Sequence, residues 1–207
     1  MQGIKIAVLI SGGGTNLQSL IDAVEEGSIK GSIALVISDR KGAFGLTRAE
    51  NHGIQAMLLD KKTYGGIEER DAALLQILQE QKIDLIVLAG YLAIVPQRII
   101  AKYENRMINI HPSLIPSFCG SGYYGEKVHQ EALNRGVKVT GATVHFVNEE
   151  TDGGPIILQE TVTIDFDDDL KDIQTKVLEI EHKILPQAVR LFAEGRLKVI
   201  GNRVKIL

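Results

Sequence analysis

The feature that most constrains this chain is an alternation of short apolar runs with amphipathic segments. Ile4–Ile10 is apolar except for Lys5; Ile33–Ile37, Gln55–Leu59 and Asp84–Ala89 repeat the pattern. Runs of this length without polar alternation are those of interior parallel strands covered on both faces. The intervening segments have helical periodicity. Leu17, Leu20, Ile21 and Val24 share one face. Phe44–Asn51 is closed by Gly53, and Ile67–Gln81 turns Leu74, Leu75 and Leu78 inward. Such alternation implies a parallel sheet with right-handed crossovers. The second half reads differently. A short buried strand is predicted at Met107–Ile110 and a helix over Glu126–Arg135. Val139–Val147 and Ile156–Ile164 are strands joined closely enough to form an antiparallel hairpin. A long helix over Leu170–Glu194 carries Ile173, Val177, Ile180, Ile184 and Leu185 as its apolar stripe. The fold expected is α/β: a mostly parallel sheet flanked by helices, with an antiparallel C-terminal part.

Composition narrows the function classes. The 207 residues suffice for one sizeable core, and 44% hydrophobic with 24% charged residues is ordinary for a soluble globular protein. A formal net charge of −3 argues against a general nucleic-acid surface, though not against a small anionic ligand. No apolar stretch has transmembrane length and no signal-peptide pattern opens the chain, so a cytoplasmic protein without a membrane partner is expected. The single Cys119 permits neither an internal disulfide nor a cysteine zinc site.

Four stretches carry candidate chemistry. Ser11-Gly12-Gly13-Gly14-Thr15-Asn16 follows the first strand and opens the first helix, an arrangement that aims backbone N–H groups at an anion. It ends in no Gly-Lys-Ser/Thr, and Leu17 replaces the last glycine of a dinucleotide fingerprint. A monophosphate is therefore the anion expected; a ligand-free tight turn is the alternative. Asn109 and His111 interrupt their strand at a spacing of two, so both project to one face where Pro112 stops the ladder. The alternative is a strand-end turn with satisfied hydrogen bonds. Gly90–Pro96 is unusually apolar for a loop. It suits either a wall for a flat apolar ligand or a segment tucked against the next helix. Asp152, before Gly153-Gly154-Pro155, is fixed in a tight loop, and Thr143 and His145 share one face of their strand. Asp165, Asp167, Asp168 and Asp169 read as N-capping of the last helix, with metal binding the alternative. His129 reads as a surface or groove residue. Nothing near Cys119 would lower its pKa enough to make it a nucleophile.

Together the glycine loop, Asn109-Ile110-His111-Pro112-Ser113-Leu114-Ile115-Pro116, Val139–Val147 and Asp152-Gly153-Gly154-Pro155-Ile156-Ile157 resemble the folate-dependent phosphoribosylglycinamide formyltransferases. The resemblance runs from about Ile4 to Leu197. The glycine loop alone is weak, whereas Asn-x-His-Pro-Ser followed about forty residues later by Asp-Gly-Gly-Pro is strong. It implies a Rossmann-like formyltransferase fold and a single domain over 1–207. Residues 1–100 would be its nucleotide- and phosphate-binding half, and 101–207 its catalytic and folate-binding half. It also implies transfer of a formyl group from 10-formyltetrahydrofolate to the amine of glycinamide ribonucleotide, without a metal. Asn109 and His111 would stabilise the oxyanion. Asp152 would keep His111 cationic and assist proton transfer, with Thr143 and His145 in support.

By the same resemblance the ribonucleotide's phosphate and ribose fall to Gly14, Thr15, Asn16 and Glu181. Folate falls to Leu92, Ala93, Ile94, Val95, Asn109 and Thr151, with the loop from Asn148 to Asp152 against the pterin. A monomer or homodimer is implied. Two arginines common in the family are replaced by Ile67 and Ala93, although Arg70 lies one turn beyond Ile67. Those losses bear on the grip on substrate or on the folate's glutamate tail. A lip around residues 118–125 is glycine-rich and could move. The runners-up share the core. Formyltetrahydrofolate hydrolases carry an N-terminal regulatory domain and a second histidine where Pro112 stands. Methionyl-tRNA formyltransferases carry a C-terminal RNA-binding domain. A catalytically silent nucleotide-binding module is the reading from another class, and Asn109, His111 and Asp152 together argue against it.

Overall fold

The computed structural model describes residues 3–207 and divides into two compact units, 1–108 and 109–207. The first is built on β1 (Ile4–Ile10), β2 (Gly31–Ser38), β3 (Ala56–Leu58) and β4 (Leu85–Leu88), ordered β3-β2-β1-β4. β1 pairs in parallel with both β2 and β4, and β2 with β3. Ile6 to Ile10, Leu35 to Ile37 and Leu85 to Val87 are buried without alternation, as the apolar runs require. Helices α1 (Thr15–Glu25), α2 (Phe44–Asn51) and α3 (Ile67–Glu80) form the crossovers, and α4 (Gln97–Lys102) follows Pro96. α1 begins two residues earlier than its apolar face suggests, because Gly14, in the left-handed region at φ 72°, is its N-cap.

β5 (Met107–His111) begins in the first unit and ends in the second. The second unit contains α5 (Glu126–Asn134), β6 (Val139–Phe146), β7 (Ile156–Thr163), α6 (Leu170–Ala193), β8 (Leu197–Ile200) and β9 (Arg203–Ile206). β6 and β7 form the expected antiparallel pair. α6 packs on both, burying the predicted stripe of Ile173, Val177, Ile180, Ile184 and Leu185, and α5 packs on α6. Asp169 caps α6, accepting from the backbone N–H of Lys171 and Asp172, while the Asp172 carboxylate accepts from Asp169 N–H. Of the acidic run, Asp169 is the capping residue, whereas Asp165 and Asp168 pair with Lys176. The β8–β9 hairpin was not anticipated, although the alternation of Leu197, Val199, Val204 and Ile206 around Gly201-Asn202 is a hairpin signal. β9 extends the sheet by parallel pairing with β7.

Candidate active site

β5 delivers two polar side chains to its carboxyl end, and both meet Asp152. Asn109 Nδ2 lies 3.4 Å from Asp152 Oδ1, and His111 Nδ1 lies 3.6 Å from Oδ2. The two-residue spacing on a strand does bring amide and imidazole to one face. Asp152 is held in the left-handed region at φ 56°. The Gly120 N–H donates to its Oδ2 at 2.8 Å. The loop after Asp152 tolerates no side chain at Gly154, where a Cβ would lie 1.8 Å from the Phe146 carbonyl oxygen. Pro155 then re-enters the ladder as acceptor from Phe146 N–H at 2.9 Å.

His145 completes the cluster from β6. Its Nδ1 lies 2.8 Å from the Phe146 carbonyl oxygen, which can only accept, so Nδ1 carries the proton. With the imidazole neutral, Nε2 accepts from Asn109 Nδ2 at 3.1 Å; with it protonated, Nε2–H faces Asp152 Oδ1 at 3.7 Å. Both Asn109 amide protons are thus directed, one at His145 and one over the longer path to Asp152. His111 Nε2–H donates to the Phe118 carbonyl at 2.9 Å, so a second proton on that ring resides on Nδ1, facing Asp152. Thr143 stands apart from the carboxylate. It donates to the Ser113 carbonyl at 2.6 Å and accepts from Ile115 N–H at 3.1 Å and Gln159 Nε2 at 2.9 Å. It fixes the turn that follows His111.

Burial, at 5% exposure, pulls the His111 pKa down; Asp152 and the Phe118 carbonyl raise it, and His145 lowers it further. The net shift is downward, so burial outweighs the carboxylate expected to hold this imidazole cationic. Burial pushes Asp152 up, but His145, His111 and the Gly120 N–H together hold its carboxyl below the ordinary range. The Cys119 thiol is pushed up by burial and by the charges of Asp152 and Glu150, and it donates to the Pro116 carbonyl at 3.3 Å. That is the opposite of an activated nucleophile.

Of the surface and groove placements expected for His129, burial excludes the surface. The side chain is buried on the inner face of α5 with Val128 and Ala132, and its Nδ1 has no hydrogen-bond partner. Burial, with the nearby His111, lowers its pKa from 6.5 to about 4. The folded state then binds fewer protons than the unfolded chain between these values. Stability is full above pH 6.5 and falls as the pH drops toward 4, by about 3 kcal/mol from this group alone. Urea midpoints across that window are expected to show a shallower acid loss in His129→Gln than in the parent. Identical slopes would remove His129 as the cause.

In the first unit, the glycine loop is shaped by α2. The Gly45 N–H donates to the Gly12 carbonyl at 3.1 Å, and Arg48 Nε donates to the Gly13 carbonyl at 2.9 Å. A Cβ on Gly14 would lie 2.7 Å from Gly45 Cα, whereas one on Gly12 or Gly13 would meet nothing. Gly14 is therefore required by packing against the chain itself. Thr15 is exposed and Asn16 buried at the start of α1. In the segment after β4, Leu92 and Ile94 are 41% and 85% exposed, Ala93 is half-buried and Val95 turns inward. Ile67 is 57% exposed. Arg70 does not stand in for an arginine there, because it is buried and gives its Nε and Nη2 protons to Asp71. Tyr91 is half-buried, and desolvation pushes its phenol up to about 12. In the second unit, Glu181 is buried on α6 and Thr151 is exposed beside Asp152. Among the described residues, no group of three or more His, Cys, Asp or Glu is placed to hold a metal ion. No helix there is long and apolar enough to cross a membrane. The contributions that residue types alone did not reveal are the Phe118 carbonyl, the Gly120 N–H and Gln159; the first two are backbone groups with no residue signature.

Comparison with known proteins bears on this site. Residues 4–189 match the family described as Formyl transferase. The chain is 42% identical over 198 residues to the phosphoribosylglycinamide formyltransferase of Haemophilus influenzae, covering 96% of this chain and 91% of that protein. It is 42% identical over 203 residues to the trifunctional purine biosynthetic protein adenosine-3 of Gallus gallus, covering 98% of this chain but only 20% of that protein's length. The crystal structure of glycinamide ribonucleotide transformylase 1 from Symbiobacterium toebii superimposes with a TM-score of 0.93 at 47% identity, covering 100% of this chain and 95% of that one. The α/β architecture with its mostly parallel sheet and antiparallel C-terminal strands is that of these enzymes. The chain belongs to the formyl transferase family.

Proposed function

We propose that this protein transfers the formyl group of 10-formyltetrahydrofolate to the amine of 5′-phosphoribosylglycinamide, a step of purine biosynthesis. The observation that carries this reading is the buried Asp152 carboxylate shared by Asn109, His111 and His145. The neutral amine attacks the formyl carbon, and its C=O becomes a tetrahedral oxyanion. Asn109 Nδ2–H and His111 Nε2–H are the donors for that oxygen. Each has an internal partner beforehand, the 3.4 Å contact of Asn109 to Asp152 and the 2.9 Å bond of His111 to the Phe118 carbonyl, and the oxyanion displaces both. The amine's surplus proton passes to the Asp152–His111 pair. It leaves again to the folate nitrogen as the C–N bond to the formyl carbon breaks. His145 orients the Asn109 amide, and Thr143 holds the turn after His111. No step calls for a metal.

In this reading the glycine loop, with Gly14, Thr15 and Asn16, binds the ribonucleotide's phosphate, and Glu181 serves its glycinamide-ribose end. The segment from Leu92 to Val95 takes the pterin, since exposed Leu92 and Ile94 suit a flat apolar ring. A cytoplasmic enzyme accords with these water-soluble substrates. Gly14→Val is a poor test of the loop, since it collides with Gly45 and strains a left-handed backbone. Gly13→Ala adds a methyl group facing open space and keeps the packing. It is expected to raise the KM for the ribonucleotide by about tenfold, a loss of about 1.4 kcal/mol. The KM for 10-formyltetrahydrofolate should stay level. Steady-state kinetics with each substrate varied in turn decides it, and a folate-only effect would mean that the loop serves the other ligand.

A further inference from the structure

In the strand order β3-β2-β1-β4, the direction of winding reverses between β1 and β4. Ligand crevices of α/β sheets open at such switch points, outside the carboxyl ends of the two strands. The segments leaving these ends are the glycine loop after β1 and Gly90–Pro96 after β4. One residue joins them. The Ser11 N–H donates to the Gly90 carbonyl at 3.1 Å, and the Ser11 hydroxyl accepts from Leu92 N–H at 2.8 Å. The hydroxyl's own proton goes to Asp39 Oδ1, at the end of β2, at 2.5 Å. A hydroxyl has one proton and two lone pairs. With the proton held by a carboxylate in a short, charge-assisted bond, a lone pair is left aimed at Leu92. Ser11 itself is 6% exposed, so its hydroxyl is largely shielded, while its partner Asp39 is half-buried and its partner Leu92 exposed. Three strand ends thus converge on one buried oxygen.

We propose that Ser11, oriented by Asp39, is a positioning residue that fixes the glycine loop relative to the Leu92 segment, and with them the two substrates. The inference rests on the assignment of the ribonucleotide's phosphate to the first loop and the folate to the second. Transfer between two bound molecules depends on their mutual placement, and a displacement of about 1 Å can cost roughly a hundredfold in rate. A residue that merely stabilised one loop would affect one substrate.

The test is steady-state kinetics of the 207-residue chain with each substrate varied in turn, beside a thermal melt. Ser11→Ala is expected to raise the KM for both substrates and to lower kcat by about tenfold or more. Asp39→Ala, which releases the hydroxyl rotor, should show the same pattern more weakly. Asp39→Asn, whose amide oxygen still accepts the Ser11 proton, should stay near the parent. A folded Ser11→Ala that changes the KM of one substrate only, or of neither, overturns the proposal. If Ser11→Ala does not fold, the Asp39 pair decides: parental kinetics in Asp39→Ala, or equal losses in Asp39→Ala and Asp39→Asn, overturn it. Failure of the underlying loop assignment reads out separately. In that case Gly13→Ala leaves the ribonucleotide KM at the parent value, whatever Ser11→Ala does.

Discussion

Alanine at Asn109 or at His111 is expected to lower turnover by about two to three orders of magnitude, the usual loss for one oxyanion donor. Each side chain presents one proton that a developing negative charge can capture, and each gives it to a weaker internal partner in the unliganded protein. Neither truncation should unfold the chain. His111→Ala leaves the Phe118 carbonyl without its donor, a cost of about 1–3 kcal/mol for a buried group. Asn109→Ala leaves His145 Nε2 without its donor at similar cost. Single-turnover rates at saturating substrates isolate the chemical step. The two losses should not add in the double variant, since both donors serve one oxygen. A single variant that turns over at nearly the parent rate would remove that residue from the mechanism.

Asp152→Asn should have an effect at least as large, in two readouts. Asp152 raises the His111 pKa against the stronger pull of burial. Removing its charge takes away the raising influence and leaves burial, so the imidazole pKa moves further below 6.5. An NMR titration of His111 in the two proteins measures this directly; equal values would break the pairing. Turnover should fall by about 10²–10⁴, the range for loss of a general acid–base group. The amide keeps the volume and can still accept from Gly120 N–H, so the loss would report on charge and proton transfer rather than on loop collapse.

The parts of the fold that could be read from the sequence are those where side-chain pattern and backbone need agree. The apolar runs of the first half became parallel strands, buried in β1, β2 and β4 and half-buried in the edge strand β3, and Ile4–Ile10 and Phe44–Asn51 match the predicted bounds. Strand periodicity places Asn109 and His111 on one face, and the Gly-Gly-Pro loop fixes Asp152, but that the three meet was implied only by the family resemblance. The β8–β9 hairpin is short and half-exposed, so its alternation weighed little beside the long helix before it. The burial of His129 was hidden because a lone polar residue on a nine-residue helix says nothing about which neighbour covers it. The reason for Gly14 was also hidden. The loop sequence suggests room for a ligand, whereas the contact that excludes a side chain comes from Gly45 on α2, thirty-one positions away. Such tertiary contacts, and the backbone groups of Phe118 and Gly120 at the site, have no local signature.

The central claim is transfer of a formyl group to an amine. The most direct test incubates the purified protein with 10-formyltetrahydrofolate, labelled at the formyl carbon, with and without glycinamide ribonucleotide. The account predicts label on the ribonucleotide amine, one equivalent per tetrahydrofolate formed, and negligible turnover without the ribonucleotide. Release of labelled formate at the same rate in both mixtures would identify a hydrolase. No turnover by the folded protein would identify a binding module. Either result would contradict the account.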